Sequence, residues 1–173
     1  ESVPAGIVSL AHVVGLTKAS TIFNYGASHM VSPLADTIQK WLPLISILAF
    51  VVVIYSCLSS FRHEYAATGA IQPESLVIYV TAALLTFMAT GKVFSTQYII
   101  WLLPFAPLLR PRKILLAIAI FALTIYIFLS GHDHLKLFHT FSVLLLNLRN
   151  ILVIFLTLLL LIEGAAGNLK DEG

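Results

Sequence analysis

The chain has 173 residues, of which 59% are hydrophobic and only 10% are charged. A soluble domain carries about 25% charged residues, so this composition excludes an ordinary water-facing surface. The net charge of +2 comes from scattered Lys and Arg residues and does not indicate a nucleic-acid partner. A single cysteine, Cys57, excludes an internal disulfide. Because the chain opens at Glu1 without an initiator Met or a basic and apolar leader, we expect it to be part of a longer protein.

The first 33 residues predict an extracytoplasmic interfacial segment rather than a membrane span. Pro4 suits the first turn of a helix and Gly15 suits its end, so residues 1–15 predict a short interfacial helix. Residues 20–33 mix small, polar and apolar side chains, which predicts an extended or turn stretch at the membrane surface.

Five apolar runs follow, and they predict membrane-spanning helices. The clearest is residues 41–60, because twenty residues at about 1.5 Å each span the roughly 30 Å of a hydrocarbon core. The second run is short and the third is interrupted by Pro104 and Pro107, so we expect short or kinked helices or a re-entrant pair. The predicted spans are residues 41–60, 75–90, 98–109, 114–130 and 141–162. The predicted fold class is an all-α integral membrane bundle of about five helices over residues 34–162, followed by a solvated cytoplasmic tail over residues 163–173.

Three cations in one short loop set the predicted orientation. Arg110, Arg112 and Lys113 lie between the third and fourth runs, and short-loop cations favour the cytoplasmic side. The N-terminal segment and the connection at residues 92–97 are then expected on the extracytoplasmic side. The prediction is a multi-pass protein of the plasma membrane with its active face outside.

A dense polar cluster joins the second and third runs. Lys92 is followed within six residues by two hydroxyls, an amide and a phenol, which belong to Ser95, Thr96, Gln97 and Tyr98. Such groups cost free energy at membrane depth unless they are paired or hydrated, so they favour a wet cavity or a lipid headgroup contact. Helix capping with interfacial anchoring is the alternative interpretation.

Two stretches of the chain resemble one enzyme family. Residues 91–105, GKVFSTQYIIWLLPF, resemble the Lys-Val-x-Ser-x-Gln-Tyr-x-x-Trp-x-Leu-Pro signature of polytopic GT-C mannosyltransferases. These comprise bacterial polyprenyl-phosphate-mannose-dependent enzymes and the catalytic subunit of the eukaryotic GPI first mannosyltransferase. The opening residues ESVPA resemble an Ile-Glu-Ser-x-Pro-Ala stretch in an extracytoplasmic segment of the bacterial enzymes. The resemblance is confined to these two motifs, and Thr96 stands where Pro is common.

The resemblance implies the C-terminal part of a GT-C-like glycosyltransferase, active as the full-length protein and inactive as this chain alone. The reaction implied is an inverting transfer of a sugar, mannose in the family, from a polyprenyl-phosphate donor to an extracytoplasmic glycan or lipid acceptor. We expect Lys92 to bind the leaving phosphate, with hydrogen bonds from Ser95 and Gln97. Tyr98 and Trp101 would line the groove.

Other parts of the implied site lie elsewhere. The family's acidic general base belongs to a loop upstream of this chain, so the catalytic residue is unknown here and Glu1 is expected only as an active-site neighbour. The donor itself is the only cofactor-like molecule implied. Membrane lipids are expected partners, and a partner subunit stays possible.

Arg149 and a histidine-containing loop have competing interpretations. Arg149 lies about eight residues into the last run, roughly 12 Å from its start. Snorkelling, or pairing with Asn147 and Asn150, is one interpretation, and direct binding of a lipid phosphate is the other. The loop predicts a hydrated interfacial segment rather than a metal site, because its spacing is loose for converging ligands. Its candidate metal ligands are His132, Asp133, His134 and His139.

Two non-enzymatic functions stay open at the level of sequence. A transporter or channel would also contain helices broken by Pro104 and Pro107, although no inverted repeat is visible. A membrane assembly subunit would need the cationic loop but not the polar cluster at residues 92–98.

Overall fold

The computed structural model describes residues 2–24, 27–94, 96–131, 135 and 137–170. The first helix, α1, covers Val3–Val13. Its start is capped by Ser2, whose hydroxyl accepts from the backbone N–H of Ala5, and Pro4 lies in its first turn. Gly15, with φ +79°, follows its end, a backbone conformation that costs glycine little. The predicted short N-terminal helix is confirmed.

A hairpin follows where the sequence predicts an extended or turn stretch. Strand β1, Ser20–Asn24, pairs antiparallel with strand β2, Ala27–Val31, with Ser20 opposite Val31. The hairpin adds a small two-stranded sheet to the predicted all-α fold.

Helix α2 is longer than the predicted span at residues 41–60. It covers Pro33–Thr68, and its 36 residues rise about 54 Å. Ser32 caps its start, and Gly69 in the left-handed region, with φ +73°, ends it. Only 6% of its apolar window is buried, which suits contact with lipid chains.

Three further long helices complete the bundle. Helix α3 covers Pro73–Thr90, α4 covers Pro111–Tyr126 with a π-helical continuation over Ile127–Gly131, and α5 covers Thr140–Lys170. Helix α5 contacts all four other helices and supplies the fully buried Val153, Leu156 and Leu160 to the core. Within the described residues, α2, α3, α4 with its continuation, and α5 are each long and apolar enough to cross a membrane. The chain is therefore a helical protein with the composition of a membrane bundle.

The predicted third span is not an α-helix. This part of the chain forms two 3-10 helices, Thr96–Leu102 and Ala106–Leu108, which are separated by a turn at residues 103–105. Pro104 and Pro107 lack backbone N–H donors and obstruct continuous α-helical bonding, which accounts for the interruption. Among the described residues, four helices rather than about five reach spanning length.

The last helix extends beyond the predicted fifth span, which ends at Ile162. Helix α5 continues to Lys170, within the segment that the sequence predicts to be a solvated tail. Glu163 is only 17% exposed and forms ion pairs. The apolar run ends at Ile162, but the helix continues, and Glu163 pairs with Lys113 of α4 and with Arg110, which precedes that helix.

Candidate functional site

Lys92 lies in the loop that leaves the end of α3. The helix stops at Thr90, and Gly91 takes an extended conformation with its α-carbon close to the carbonyls of Phe87 and Val93. An added Cβ at Gly91 would lie 3.0 Å from the Phe87 oxygen, so the chain turns tightly here. Lys92 is exposed, whereas Phe94 is 1% exposed. The loop therefore presents its cation outward and buries its aromatic ring.

The aromatic residues of the predicted site form a cluster with α3. The Tyr98 and Trp101 ring centroids lie 5.0 Å apart. Phe87 stacks on Trp101 at 6.3 Å and meets Tyr98 edge-on at 6.1 Å. Gln97 is exposed beside this cluster. The structure brings Tyr98 and Trp101 together, and Phe87 is a member that the sequence motif did not indicate.

Two predicted site residues fall outside the described part of the chain. They are Glu1 and Ser95. Their neighbours Ser2 and Phe94 are described, and both are buried.

Arg149 is buried in the bundle rather than snorkelling outward. It is 0% exposed, and its helical spacing places it on the same stripe of α5 as the core residues Val153, Leu156 and Leu160. Its Nε and Nη2 donate to Oδ1 of Asn150 at 3.2 and 2.7 Å. Snorkelling is thus wrong for Arg149, and the alternative of pairing with Asn150 is what the structure shows.

The Arg149 guanidinium also packs against the loop that carries Lys92. Its Cζ lies 4.1 Å from the centroid of the Phe94 ring, a cation–π contact in a buried setting. Because Phe94 follows Lys92 by two residues, α5 holds this loop from inside the bundle.

The opening motif docks on the same part of α5. Asn150 Nδ2 donates to the backbone oxygen of Ser2 at 3.4 Å, and Asn147 Nδ2 donates to the backbone oxygen of Gly6 at 3.0 Å. A Cβ on Gly6 would lie only 2.6 Å from Asn150 Nδ2. Asn147 therefore contacts α1, and glycine permits the close approach of the two helices.

The two motifs that resemble one family thus meet on neighbouring residues of α5. Arg149 contacts the second motif through Phe94, and Asn150 contacts the first through Ser2. Some ninety residues separate these motifs in sequence, so their proximity is a property of the fold.

An apolar groove of about 370 Å³ lies between α1, α2, α3 and α5. Two of its three threonines add little polarity, because Thr90 and Thr157 donate their hydroxyls to the backbone carbonyls of Thr86 and Val153 in their own helices. Each of the four helices contributes to the lining, which includes Val3 and Pro4 of α1, Ala49 of α2, Ala89 and Thr90 of α3, and Ile154 of α5. The sequence did not predict the groove, since it depends on how four helices pack.

The opposite end of the bundle carries an ion-pair cluster. Glu163 of α5 pairs with Lys113, and its other oxygen lies 2.8 Å from Nε of Arg110. Arg110 also lies 3.3 Å from Glu74 at the start of α3. The sequence analysis used these cations only for orientation. The sequence did contain a signal for this pairing, because Glu163 and the cations Arg110 and Lys113 lie close to the ends of neighbouring apolar runs.

The segment with the 3-10 helices connects these two ends. Phe94 packs against Arg149, and Arg110 pairs with Glu163. Glu163 lies fourteen residues after Arg149, or about 21 Å farther along α5. Ten 3-10 residues rise about 20 Å, which covers this distance despite the intervening turn. The Lys92 loop is therefore displaced along the bundle from the ion-pair cluster by about two-thirds of a bilayer core.

The histidine-containing loop is described only in part. His132, Asp133 and His134 lie outside the described residues. Within the part that is described, no group of three or more His, Cys, Asp or Glu side chains is arranged to hold a metal ion.

Comparisons with known proteins add no family assignment to this geometry. Protein-family models give no match, and neither curated proteins nor solved structures give one. The function is therefore inferred from the two motifs and from the contacts around them.

Proposed function

We propose that the chain is the C-terminal membrane part of a GT-C-like glycosyltransferase. In this proposal the full-length protein transfers a sugar, mannose by the resemblance, from a polyprenyl-phosphate donor to an acceptor on the extracytoplasmic face. The general base is supplied by a part of the protein outside these 173 residues.

One observation carries the proposal: the apolar groove is lined by residues of the opening motif and by the two residues that immediately precede the second motif. Val3 and Pro4 of the opening motif form its α1 wall, and Ala89 and Thr90 form its α3 wall immediately before Lys92. A polyprenyl-phosphate has a long apolar chain and an anionic head. A groove lined up to Thr90, two residues before the exposed Lys92, supports the binding of such an amphiphile, because the chain would pack against apolar walls while the phosphate would meet a cation.

The chemical roles follow from the positions of the side chains. Lys92 would attract the phosphate and stabilise the charge that develops as the sugar departs. Gln97 is exposed close to it in sequence and would donate a hydrogen bond, with Ser95 as a further donor. The rings of Tyr98 and Trp101 would form an aromatic wall for the sugar or the first isoprene units.

Lys92→Ala tests the cationic role in the protein expressed from its native gene and reconstituted in proteoliposomes. The assay follows radiolabelled mannose from polyprenyl-phosphate-mannose into lipid-linked and polymeric acceptors. Loss of a charge-assisted hydrogen bond predicts a fall in kcat/KM of roughly 10- to 150-fold. Lys40→Ala is the matched control, because Lys40 is exposed on α2 outside both motifs.

Two outcomes of that assay would contradict the proposal. Equal activity of the Lys92 and Lys40 variants would remove Lys92 from the mechanism. Movement of intact donor across the membrane by the native protein, without sugar transfer, would identify a transporter instead.

Ala49→Phe tests whether the groove holds the isoprenoid chain. Ala49 lines the groove from α2, so a phenyl ring there would occupy its volume with little disturbance of the buried core. Val51→Phe is the control, since Val51 is exposed on the same helix and is not part of the lining. We expect Ala49→Phe alone to reduce photocrosslinking of a diazirine-bearing polyprenyl phosphate. Labelling that is unaffected, or that excess phospholipid competes equally well, would show that the groove holds ordinary lipid.

A further inference from the structure

Neighbouring residues of α5 tie together the two motifs on which the proposed function depends. Arg149 contacts Phe94 of the second motif, and Asn150 contacts Ser2 of the first. The two side chains also bond to each other, with two donors of the guanidinium meeting one amide oxygen. All four residues are at most 3% exposed, so the bridge is protected from water.

We propose that Arg149 is a positioning residue that fixes the Lys92 loop relative to α1, rather than a ligand of the donor phosphate. This inference rests on the proposed function for its catalytic consequence, although the geometrical part can be measured without a donor. The planar guanidinium is suited to the role, because one face packs on Phe94 while its edge donates to Asn150.

The burial of Arg149 favours positioning over phosphate binding. The exposed cation of the second motif is Lys92, on the outer side of the loop, whereas Phe94 covers Arg149 from the same loop. A phosphate would need to displace that ring to reach the guanidinium. The position of Phe94, in turn, determines where Lys92 stands two residues earlier.

The two roles make different predictions for Arg149→Lys. A lysine keeps the positive charge and would still attract a phosphate, but it lacks the planar fork that packs on a ring and bonds twice to one amide. If Arg149 positions the loop, Arg149→Lys and Arg149→Met are similarly defective. If Arg149 binds phosphate, Arg149→Lys retains most of the donor binding.

The decisive measurement is the distance between spin labels on the loop and on α1, in the full-length protein without donor. Val93 in the loop and Val14, which directly follows α1, are suitable label positions because both are exposed. Cys57 and any other cysteines are first replaced by serine. We expect a narrow distance distribution in the native protein and a broad one in Arg149→Lys and Arg149→Met. Arg112→Met, at an exposed position of α4, is the control and is expected to stay narrow.

Phe94→Leu provides a second test that leaves Arg149 in place. It removes the aromatic face while keeping the position apolar, and we expect it to broaden the same distribution. A variant that does not fold would be recognised by its elution in detergent, and Phe94→Leu would then decide the question. Narrow distributions in every folded variant would overturn the positioning role.

Activity separates this inference from the proposed function. A loop displaced by about 1 Å predicts a fall in kcat of roughly 100-fold, while crosslinking to a diazirine-bearing polyprenyl phosphate is retained. Loss of crosslinking with a narrow distribution would instead identify Arg149 as a phosphate ligand. Broadening in the Arg149 variants, together with no sugar transfer by the native protein, would uphold the positioning role and refute the glycosyltransferase.

Discussion

Replacing Gly6 by Ala tests the close packing of α1 on α5. The added methyl group would lie 2.6 Å from Asn150 Nδ2 and 3.0 Å from Asn147 Oδ1, so both side chains or the whole of α1 must move. The substitution leaves the helical conformation of α1 allowed. Its effect therefore measures the helix contact rather than backbone strain.

The expected magnitude is a sum of three effects. Overpacking costs about 1–3 kcal/mol. Weakening of the Asn147 hydrogen bond to the Gly6 oxygen costs about 0.6 kcal/mol, the average for interhelical hydrogen bonds in membranes. The better helix propensity of Ala returns about 0.5–1 kcal/mol. Gly6→Ala is therefore expected to lower the free energy of unfolding by roughly 0.5–3 kcal/mol.

A double-mutant cycle in mixed micelles, with unfolding driven by SDS, checks the origin of this effect. In an Asn150→Ala background the nearest obstacle is gone, so Gly6→Ala should become close to neutral or stabilising. An Asn147→Ala background should relieve less of the strain, because that contact is longer. Additivity of Gly6→Ala with Asn150→Ala, or stabilisation by Gly6→Ala alone, would refute the packing that the structure describes.

Two further predictions concern the other end of the bundle and the end of α2. Glu163→Gln leaves the largely buried Lys113 without its carboxylate, and we expect a loss of about 1.5–3 kcal/mol in the same unfolding assay. Glu74→Gln is its control and is expected to lower the free energy of unfolding by at most about 1 kcal/mol, because the Glu74 side chain is 60% exposed. Equal losses in the two variants would contradict the assigned pairing. Gly69→Ala should cost about 1–2 kcal/mol through its left-handed conformation alone, since open space surrounds it, and a neutral result would mean that α2 does not end there.

The sequence predicted those parts of the fold that depend on local chemistry. Pro4 and Gly15 marked the limits of α1, and the apolar runs identified the cores of all four long helices. It placed the ends of α2 and α5 less well. Polar residues at the ends of both helices ended the apolar runs, yet helical bonding continues through them because backbone hydrogen bonds do not require apolar side chains.

The parts of the candidate site that the sequence missed are those made by packing. The motif indicated Tyr98 and Trp101. Phe87 joins them only because the 3-10 segment folds back alongside α3. The pairing of Glu163 with Lys113 joins residues fifty positions apart. Hydropathy treats each run separately, so it carries no information on which helices enclose a groove or which charges meet.

The free-energy balance at Arg149 explains why its contacts have a geometrical rather than a stabilising consequence. Placing an arginine at the centre of a membrane helix costs about 2.5–3.5 kcal/mol on insertion scales. The buried cation–π contact with Phe94 returns about 2 kcal/mol, and the charge-assisted hydrogen bonds to Asn150 return about 1.5–3 kcal/mol. These terms leave a net stabilisation of only about 0–2.5 kcal/mol, so an apolar residue of similar volume would cost the bundle at most this amount. Such a residue would not hold Phe94 and Asn150 in a fixed relation, because only a planar group with donors at its edge can contact a ring and an amide together. Arg149→Met should therefore lower the free energy of unfolding by no more than about 2.5 kcal/mol while releasing the Lys92 loop.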